Sequence, residues 1–565
     1  MMNRSAEHLI GELIDRQRTY TFDPNTIYPF FFWCRVRILI VADAGGSFGM
    51  ADFGLQAFLG ILAVPPGPWV RFQITKAHRA TDATADLQQF RFDAHDLSQY
   101  DEVWMFGVER GSGTAANPPL SDQELRVLSE FMDQGGGVFA TGDHEDLGVV
   151  MCGRVPRVRS MRKWYWPTPG PNGEPVAPNV GGSDRYDTLS AGNDPGIQFN
   201  DQSDDVPQVI TPKMYPTWPW TPWFFRTYPH PLLCGPRGVI RFLPDHPHEG
   251  ECYVPSTLTA TFTFNGYTIT EYPGGLAPEV IAWSNLAGRG TDLNKGPLTG
   301  RNFGAIGVYD GHRVDIGRVV VDATWHHFFN VNLIGELGNP DPIKSVGFAA
   351  TPTGQAALDD IKVYYRNIAV WLARPSTIDC MWWAAAWWCR WHHRIFMDLR
   401  PYYIESLERL ELGELLRIGG EARDVLGRVA SQCTVRWWIW WHIIRLYPEL
   451  WKGLERYADP WLPRPEPKHG SNPEPVPNVA VPIHIEMLLD AVMGSVVYSI
   501  ANAFPEPTKE ARLAAQKTQW QEIVGKNVEV ALRSIAAHVR TSSGDLNGLA
   551  EIIEGRGDGR SLKKK

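Results

Sequence analysis

The segment from Ser121 to Asp146 constrains the fold more than any other part of the chain. Ser121 and Glu124 have the spacing of a capping box, in which two side chains satisfy backbone N–H groups at a helix start. Apolar residues follow at helical spacing, and Gly135-Gly136-Gly137 ends the helix. The apolar run Val138–Thr141 then predicts a strand. A strand–helix–strand unit with such short connections is typical of a parallel sheet.

Other apolar runs predict the remaining strands of an open α/β sheet. The first of them is almost continuously apolar, as expected for a parallel strand that is buried on both faces. The last two are joined by an Asp-Gly turn and predict a hairpin. The predicted strands are Arg35–Ala44, Trp69–Thr75, Glu102–Val108, Val239–Leu243, Ala305–Tyr309 and Arg318–Asp322.

Composition shifts along the 565 residues predict five regions. They are an N-terminal extension (1–34), an α/β domain (35–375) with a Pro/Trp-rich insertion (154–235), a helical region (376–459), a Pro-rich linker (460–482) and a C-terminal helical region with a lysine tail (483–565). Tryptophans recur on single faces of the predicted C-terminal helices. We expect these faces to pack between helices; a homo-oligomer interface or a membrane contact is the alternative.

Charge and cysteine content narrow the classes of partner and compartment. The net charge of −9 makes nucleic acid an unlikely partner, and no apolar run reaches the length of a membrane span. Seven cysteines without a CxxC pair predict reduced thiols. The N-terminus is charged and lacks a signal-peptide core. From these features we expect a cytoplasmic protein.

Histidines and carboxylates follow three of the predicted strands. Because ligands of open α/β sheets bind beyond the carboxyl ends of parallel strands, the three clusters are expected to meet at one edge if their strands are parallel neighbours. The clusters are Asp143, His144, Glu145 and Asp146; Asp245, His246, His248 and Glu249; and Asp322, His326 and His327.

Imidazoles and carboxylates together suit either acid–base catalysis or a divalent transition metal such as zinc, manganese or iron. We predict three kinds of role for the clusters and for two residues beside them, Asp43 and Trp325. The predicted catalytic residues are Asp143, His144, Glu145 and Asp322; the metal ligands are His246, His248 and His326; the substrate contacts are Asp43, Asp245, Glu249, Trp325 and His327.

No nucleotide cofactor is expected. Gly111–Ala116 has the glycine spacing of a dinucleotide-binding loop, but Asn117-Pro118-Pro119 follows directly. A helix therefore cannot begin where a pyrophosphate would need its N-terminus.

The layout of Leu120–Gly148 resembles the class I glutamine amidotransferase-like fold, and Gly317–Asn330 resembles the last strand and His-bearing loop of its trehalose-utilisation (ThuA-like) branch. The resemblance covers about residues 35–375 and implies a flavodoxin-like, mostly parallel sheet. Amidotransferases carry a nucleophilic cysteine in a G-x-C-x-G elbow. Here His144 stands at that position and Asp146 replaces the second glycine. The resemblance therefore implies a sugar-related role without glutaminase activity.

These observations lead to one functional hypothesis and two alternatives. We expect a metal-assisted hydrolase or lyase that acts on a small polar substrate, with carbohydrates among the candidates. One alternative is a non-catalytic module that binds a sugar or a nucleotide. The other is a scaffold protein that works through its Trp-rich helices.

Overall fold

The structure is a computed structural model in which two compact units are distinguished, one formed by residues 34–214 and 229–380, the other by 1–33, 215–228 and 381–565. The residues described are 34–43, 45–143, 146–164, 208–216, 227–244, 251–286, 301–335, 352–399, 410–446, 485–505 and 524–538, with 338, 348, 461 and 541. The predicted N-terminal extension, most of the insertion, the Pro-rich linker and the lysine tail lie outside the described residues.

Six of the seven predicted strands are confirmed, four of them within two residues at each end. The seventh, Val239–Leu243, was wrong as one strand, because its ends belong to two short strands of different sheets. The strands are β1 (Cys34–Ala42), β2 (Val70–His78), β3 (Glu102–Phe106), β4 (Gly137–Thr141), β5 (Gln208–Pro212), β6 (Met214–Pro216), β7 (Thr227–Pro229), β8 (Cys234–Gly235), β9 (Gly238–Val239), β10 (Phe242–Leu243), β11 (Thr261–Phe264), β12 (Tyr267–Thr270), β13 (Glu279–Leu286), β14 (Arg301–Tyr309) and β15 (Val319–Asp322).

The described helices are distributed over both units. They are α1 (Gln56–Leu62), α2 (Asp122–Asp133), α3 (Val149–Cys152), α4 (Asn330–Ile334), α5 (Pro352–Leu372), α6 (Pro375–Trp391), α7 (His393–Leu399), α8 (Leu412–Gly427), α9 (Gln432–Leu446) and α10 (Ile485–Ala503); residues 524–538 are also helical.

Nine of these strands form one sheet in the order β10-β5-β13-β14-β15-β4-β3-β1-β2. The five strands from β15 to β2 are parallel, whereas each pairing from β15 outward to β10 is antiparallel. The expectation of a mostly parallel sheet was therefore wrong: the sheet is mixed, with four parallel and four antiparallel pairings. One cause is β5, an unpredicted strand from the Pro/Trp-rich insertion that pairs between β10 and β13.

The predicted hairpin and capping box are both present. β14 and β15 pair in antiparallel register. At the start of α2, the Ser121 hydroxyl accepts from the Glu124 N–H at 3.1 Å, and a Glu124 carboxylate oxygen accepts from the Ser121 N–H at 3.0 Å. Glu124 also forms a buried ion pair with Arg79 at 2.6 Å. The cap therefore joins α2 to the residue after β2.

Helices cover both faces of the parallel strands. On one face, Leu125, Leu128 and other apolar residues of α2 share a core cluster with β3 and β4. On the other, the Phe58 ring of α1 lies 5.7 Å from the rings of Trp104 and Phe106 and 5.1 Å from Tyr365 of α5. Burial on both faces explains why these strands are continuously apolar in sequence.

At the amino-terminal ends of the parallel strands, the buried Asp101 collects a set of donors. It accepts from the Arg37 backbone at 2.9 Å and from the Arg37 guanidinium at 3.1 Å. The Thr377 hydroxyl also donates to it at 3.3 Å, and Arg374 lies 4.0 Å away. We call Arg37, Asp101, Arg374 and Thr377 the amino-edge lock.

A disulfide between Cys34 and Cys380 closes the same end of the sheet, with 5.8 Å between the Cα atoms. Cys152, Cys252 and Cys389 are free, while Cys234 and Cys433 are also disulfide-bonded. The expectation of reduced thiols was therefore wrong, because residues far apart in sequence meet in the fold. Disulfides persist mainly in oxidising compartments, so the bond removes the thiol argument for a cytoplasmic location.

From residue 381 onward, the regular elements described in the second unit are helices, as predicted. Most of the tryptophans described there are buried, among them Trp382, Trp383, Trp387, Trp388, Trp437, Trp438 and Trp440. α8 and α10 approach closely at glycines: a Cβ on Gly419 would lie 1.7 Å from the Asp490 carbonyl oxygen, and one on Gly494 2.1 Å from that of Leu415. None of the helices searched among the described residues is long and apolar enough to cross a membrane.

Candidate functional site

The sheet register brings described residues of the first and third predicted clusters to one edge. One row of paired residues runs across four neighbouring parallel strands and consists of Ala42, Phe106, Thr141 and Asp322. We call the residues at and directly beyond this row the carboxyl edge. Neighbouring strands lie about 4.8 Å apart. Because β4 and β15 are direct neighbours, the side chains that follow Thr141 and Asp322 can touch.

Asp143 and His326 form the first pair at this edge. An Asp143 carboxylate oxygen lies 3.4 Å from Nε2 of His326, and both side chains are almost fully buried. The other ring nitrogen, Nδ1, lies 2.9 Å from the Asn332 amide oxygen. The Thr324 hydroxyl donates to Asp143 at 3.0 Å and accepts from the His326 backbone N–H at 3.0 Å. Asp143, Thr324, His326 and Asn332 are thus one hydrogen-bonded group, the Asp143–His326 group.

Asp322 and His327 form a second pair beside it. The His327 Nδ1 lies 2.5 Å from one Asp322 carboxylate oxygen, and the Tyr364 hydroxyl donates to the other at 2.7 Å. The Tyr365 hydroxyl donates to the His327 carbonyl oxygen. The two adjacent histidines point to different partners: His326 lies against Asp143 and Asn332, and His327 against Asp322.

The buried Arg162 fixes the backbone at both strand ends. Its guanidinium donates to the Asp143 carbonyl oxygen at 2.5 Å and to that of Ala323 at 2.6 and 2.9 Å. The guanidinium carbon also lies 4.6 Å from the centroid of the Trp164 ring. Burial lowers the pKa of Arg162, although nearby thiols and carboxylates raise it. One side chain therefore holds the residues after β4 and β15 in fixed positions.

Asp43 lies at the same edge, one residue beyond β1. It accepts from the backbone N–H of Val108 at 2.8 Å and of Glu109 at 3.0 Å. Burial raises the pKa of Asp43 to about 7, although the N–H groups of Glu109 and Val108 lower it. These bonds hold the ends of β1 and β3 together. They give the predicted substrate contact a structural role.

Trp325, another predicted substrate contact, stands beside the Asp143–His326 group. Its ring centroid lies 4.0 Å from that of His326 and 4.7 Å from that of Phe329. The ring of Phe53, from the loop between β1 and α1, contacts both Trp325 and His326. The sequence therefore predicted one of the two aromatic neighbours of His326 and missed the other.

The remaining predicted site residues are not among those that the structure describes. His144, Glu145, Asp245, His246, His248 and Glu249 lie outside the described residues. β10, which precedes the second cluster, is the outermost strand and four positions from β15. The assumption that all three strands are parallel neighbours was therefore wrong for the second cluster, because three antiparallel strands stand between β10 and β15.

Metal binding is not tested by the described residues. Within the described part of the chain, no group of three or more His, Cys, Asp or Glu side chains could hold a metal ion. Asp143 and His326 alone are two donors, fewer than the three protein ligands of a catalytic zinc site. The predicted metal ligands His246 and His248 are not described, so metal binding stays a prediction.

Sequence reasoning missed several residues of the site. Thr324 and Asn332 are short polar residues near His326, and nothing in their spacing indicates a bond to Asp143 or His326. Arg162 was not among the predicted site residues, yet its side chain is buried and donates to carbonyl oxygens. His78, at the end of β2, bonds the Gly46 carbonyl oxygen at 3.0 Å. Because His78 follows the predicted strand Trp69–Thr75, the sequence could have indicated its place at a strand end.

Comparison with known proteins adds no assignment. No protein-family model matches the chain, and no curated protein shows significant similarity to it. The functional argument therefore stands on the geometry of the carboxyl edge.

Proposed function

We propose that this chain is a hydrolase or lyase for a small polar substrate, with Asp143 and His326 as its acid–base pair. The observation that carries the proposal is the 3.4 Å approach of the Asp143 carboxylate to Nε2 of His326 at the ends of two adjacent parallel strands. Ligands of open α/β sheets bind at this edge. A carbohydrate remains among the candidate substrates.

The hydrogen bonds of His326 define what its ring can do. The Asn332 amide oxygen can only accept, so Nδ1 of His326 carries the proton in that bond. Nε2 is then the basic nitrogen of the neutral ring. It can take a proton from water or substrate, and the Asp143 carboxylate stabilises the cation that forms. The hydroxyl of Thr324 keeps that carboxylate oriented.

We further propose that the α/β unit is flavodoxin-like and of the class I glutamine amidotransferase-like kind. The support is the order β2-β1-β3-β4-β15 of its parallel strands, which is the 2-1-3-4-5 order of flavodoxin-like sheets. The ThuA-like resemblance rests on the layout of Leu120–Gly148 and on Gly317–Asn330. It includes no cysteine at the elbow, so glutaminase activity is not proposed.

The proposal includes a metal-assisted form. His326 and Asp143, with His246 and His248, would hold a divalent ion such as zinc, manganese or iron. Such an ion, when bound, lowers the pKa of a bound water. Elemental analysis of protein purified without chelator tests this form. Less than ~0.1 equivalent of any transition metal, with no gain on reloading, would leave acid–base catalysis without metal.

A substrate screen with matched variants tests the catalytic role. We expect turnover of at least one ester, glycoside, phosphoester or lyase substrate by the unaltered chain. His326→Gln and Asp143→Asn should each lower that rate about 100-fold or more. His312→Gln is the control, since this buried histidine precedes β15 at the opposite end of the strand.

Two results would decide against the proposal. If His326→Gln retains a rate within threefold of the unaltered chain, His326 is not the base. If no substrate is turned over and both variants change only the affinity for a sugar or nucleotide, the carboxyl edge belongs to a binding module.

A further inference from the structure

Phe53 differs from its neighbours at the carboxyl edge because it is exposed. About half of its side chain, 48%, is accessible, whereas Trp325 and His326 are 5% and 2% accessible. Its ring centroid lies 5.7 Å from that of Trp325, 6.1 Å from that of His326 and 6.0 Å from that of Phe329. An exposed phenyl ring therefore lies between solvent and the two buried rings that it touches.

The backbone that carries Phe53 is firmly held. The Asn330 amide donates to the carbonyl oxygens of Gly49 at 3.0 Å and Ala51 at 2.7 Å. Backbone bonds join Asn330 to Gly54 at 2.9 Å and Val331 to Asp52 at 3.0 Å. The loop is thus tied to the residues directly after the His-bearing turn. Since the loop is fixed and the ring is exposed, rotation of the Phe53 side chain is the motion left available.

Trp325 supplies a second observation that points to a ligand. Its indole N–H is buried and has no hydrogen-bond partner among the described residues. A buried donor without an acceptor costs free energy, and most such groups in folded proteins are satisfied. A ligand oxygen would satisfy this one.

The surroundings define the chemistry of that ligand. The rings of Phe53, Trp325 and Phe329 favour an apolar or flat face. The indole N–H requires an acceptor oxygen. The Asp143 carboxylate beside His326 disfavours a second anion. Together these features select a neutral molecule with a carbonyl or hydroxyl oxygen next to a flat or apolar face.

We propose that Phe53 covers a ligand subsite formed with Trp325 and His326, and that the subsite takes a neutral ligand with an acceptor oxygen beside an apolar face. The inference rests on the proposed function only in assigning the subsite to the His326 centre. Both tests below measure accessibility or binding and need no turnover. A failure of the cover is therefore distinguishable from a failure of catalysis.

The first test measures how fast diethyl pyrocarbonate modifies each histidine in the full-length chain, read by peptide mass spectrometry. Phe53→Ala should raise the rate at His326 about fivefold or more and leave His327, which is buried with its ring against Asp322, unchanged. Met50→Ala is the matched control, because Met50 is similarly exposed in the same loop. An unchanged His326 rate, or an equal rise at both histidines, would overturn the cover.

The second test uses benzamide as the probe, because it is neutral and joins a carbonyl oxygen to a flat ring. Its dissociation constant is measured by saturation-transfer NMR. Trp325→Phe keeps an aromatic ring but removes the N–H, and it should weaken binding about three- to tenfold, the usual effect of one lost hydrogen bond. Trp283→Phe should leave binding unchanged. Absence of benzamide binding, or equal affinity of Trp325→Phe and the unaltered chain, would overturn the ligand assignment.

Discussion

The two ends of the parallel strands differ in the interactions that their side chains make. At the amino-terminal end, the amino-edge lock pairs opposite charges around Asp101, and the Cys34–Cys380 disulfide closes the same end. At the carboxyl edge, histidines face carboxylates and Arg162 donates only to carbonyl oxygens among its described partners. Interactions at the first end stabilise the unit, whereas those at the second hold the side chains that we propose to be catalytic. Four changes test this contrast.

Loss of the Cys34–Cys380 disulfide should have the largest effect on stability. Because the bond closes a loop of more than 300 residues, its removal in Cys34→Ala/Cys380→Ala should lower the free energy of unfolding by about 5 kcal/mol. Urea unfolding under oxidising conditions measures this. As a check, alkylation of the denatured, unreduced chain should label only Cys152, Cys252 and Cys389. Labelling of all seven cysteines would contradict the pairing.

Asp101→Ala should be the next most costly change. It leaves the Arg37 guanidinium and the Arg37 N–H without their acceptor and removes the carboxylate 4.0 Å from Arg374, which we expect to cost about 3 kcal/mol. Glu130→Ala, which breaks an exposed pair with Arg126, is the control and should cost less than about 1 kcal/mol. Equal losses in urea unfolding would show that the lock is no stronger than a surface pair.

At the carboxyl edge, Asp43 should make the free energy of unfolding depend on pH. Its folded-state pKa, raised to about 7 by burial, exceeds the unfolded value, so the folded chain binds the extra proton between about pH 4 and 7. The stabilisation is present at low pH and is lost as pH rises through 7. Relative to Asp43→Asn, which does not titrate, the unaltered chain should lose about 2 kcal/mol between about pH 5.5 and 8. Urea unfolding at several pH values measures the difference, and a pH-independent difference would contradict the raised pKa.

Asp143→Asn should have the smallest effect on stability. The amide keeps the shape of the side chain and an acceptor for Thr324, so the free energy of unfolding should change by less than about 1 kcal/mol. The same variant should lose its turnover, as proposed above. A loss of stability as large as that of Asp101→Ala would indicate that Asp143 is a structural residue, and the contrast between the two ends would fail.

The parallel half of the sheet was predictable because its signals are local. The capping box at Ser121 and Glu124, the glycine stop and the apolar run of β4 all lie within about 20 residues, and each has one physical reading. The antiparallel half was not predictable. β5 comes from a proline-rich stretch, and the five residues of this strand do not alternate between apolar and polar side chains. Its pairing depends on β13, about 70 residues further along the chain.

The site was predictable in part for the same reason. Asp143 and Asp322 could be identified because each follows a strand, and parallel strands place such residues at one edge. Thr324, Asn332 and Arg162 act through bonds that depend on the path of the backbone beyond the strands. Phe53 comes from another loop altogether. No periodicity in a single sequence specifies such contacts between residues far apart in the chain.

The bond between Cys34 and Cys380 also decides how the α/β unit responds to a protease. It turns most of that unit into a covalently closed ring. A single backbone nick between these positions would release no fragment, and the nicked chain would run as one band on a gel until a reductant was added. Limited digestion followed by electrophoresis with and without reductant would thus display the ring directly.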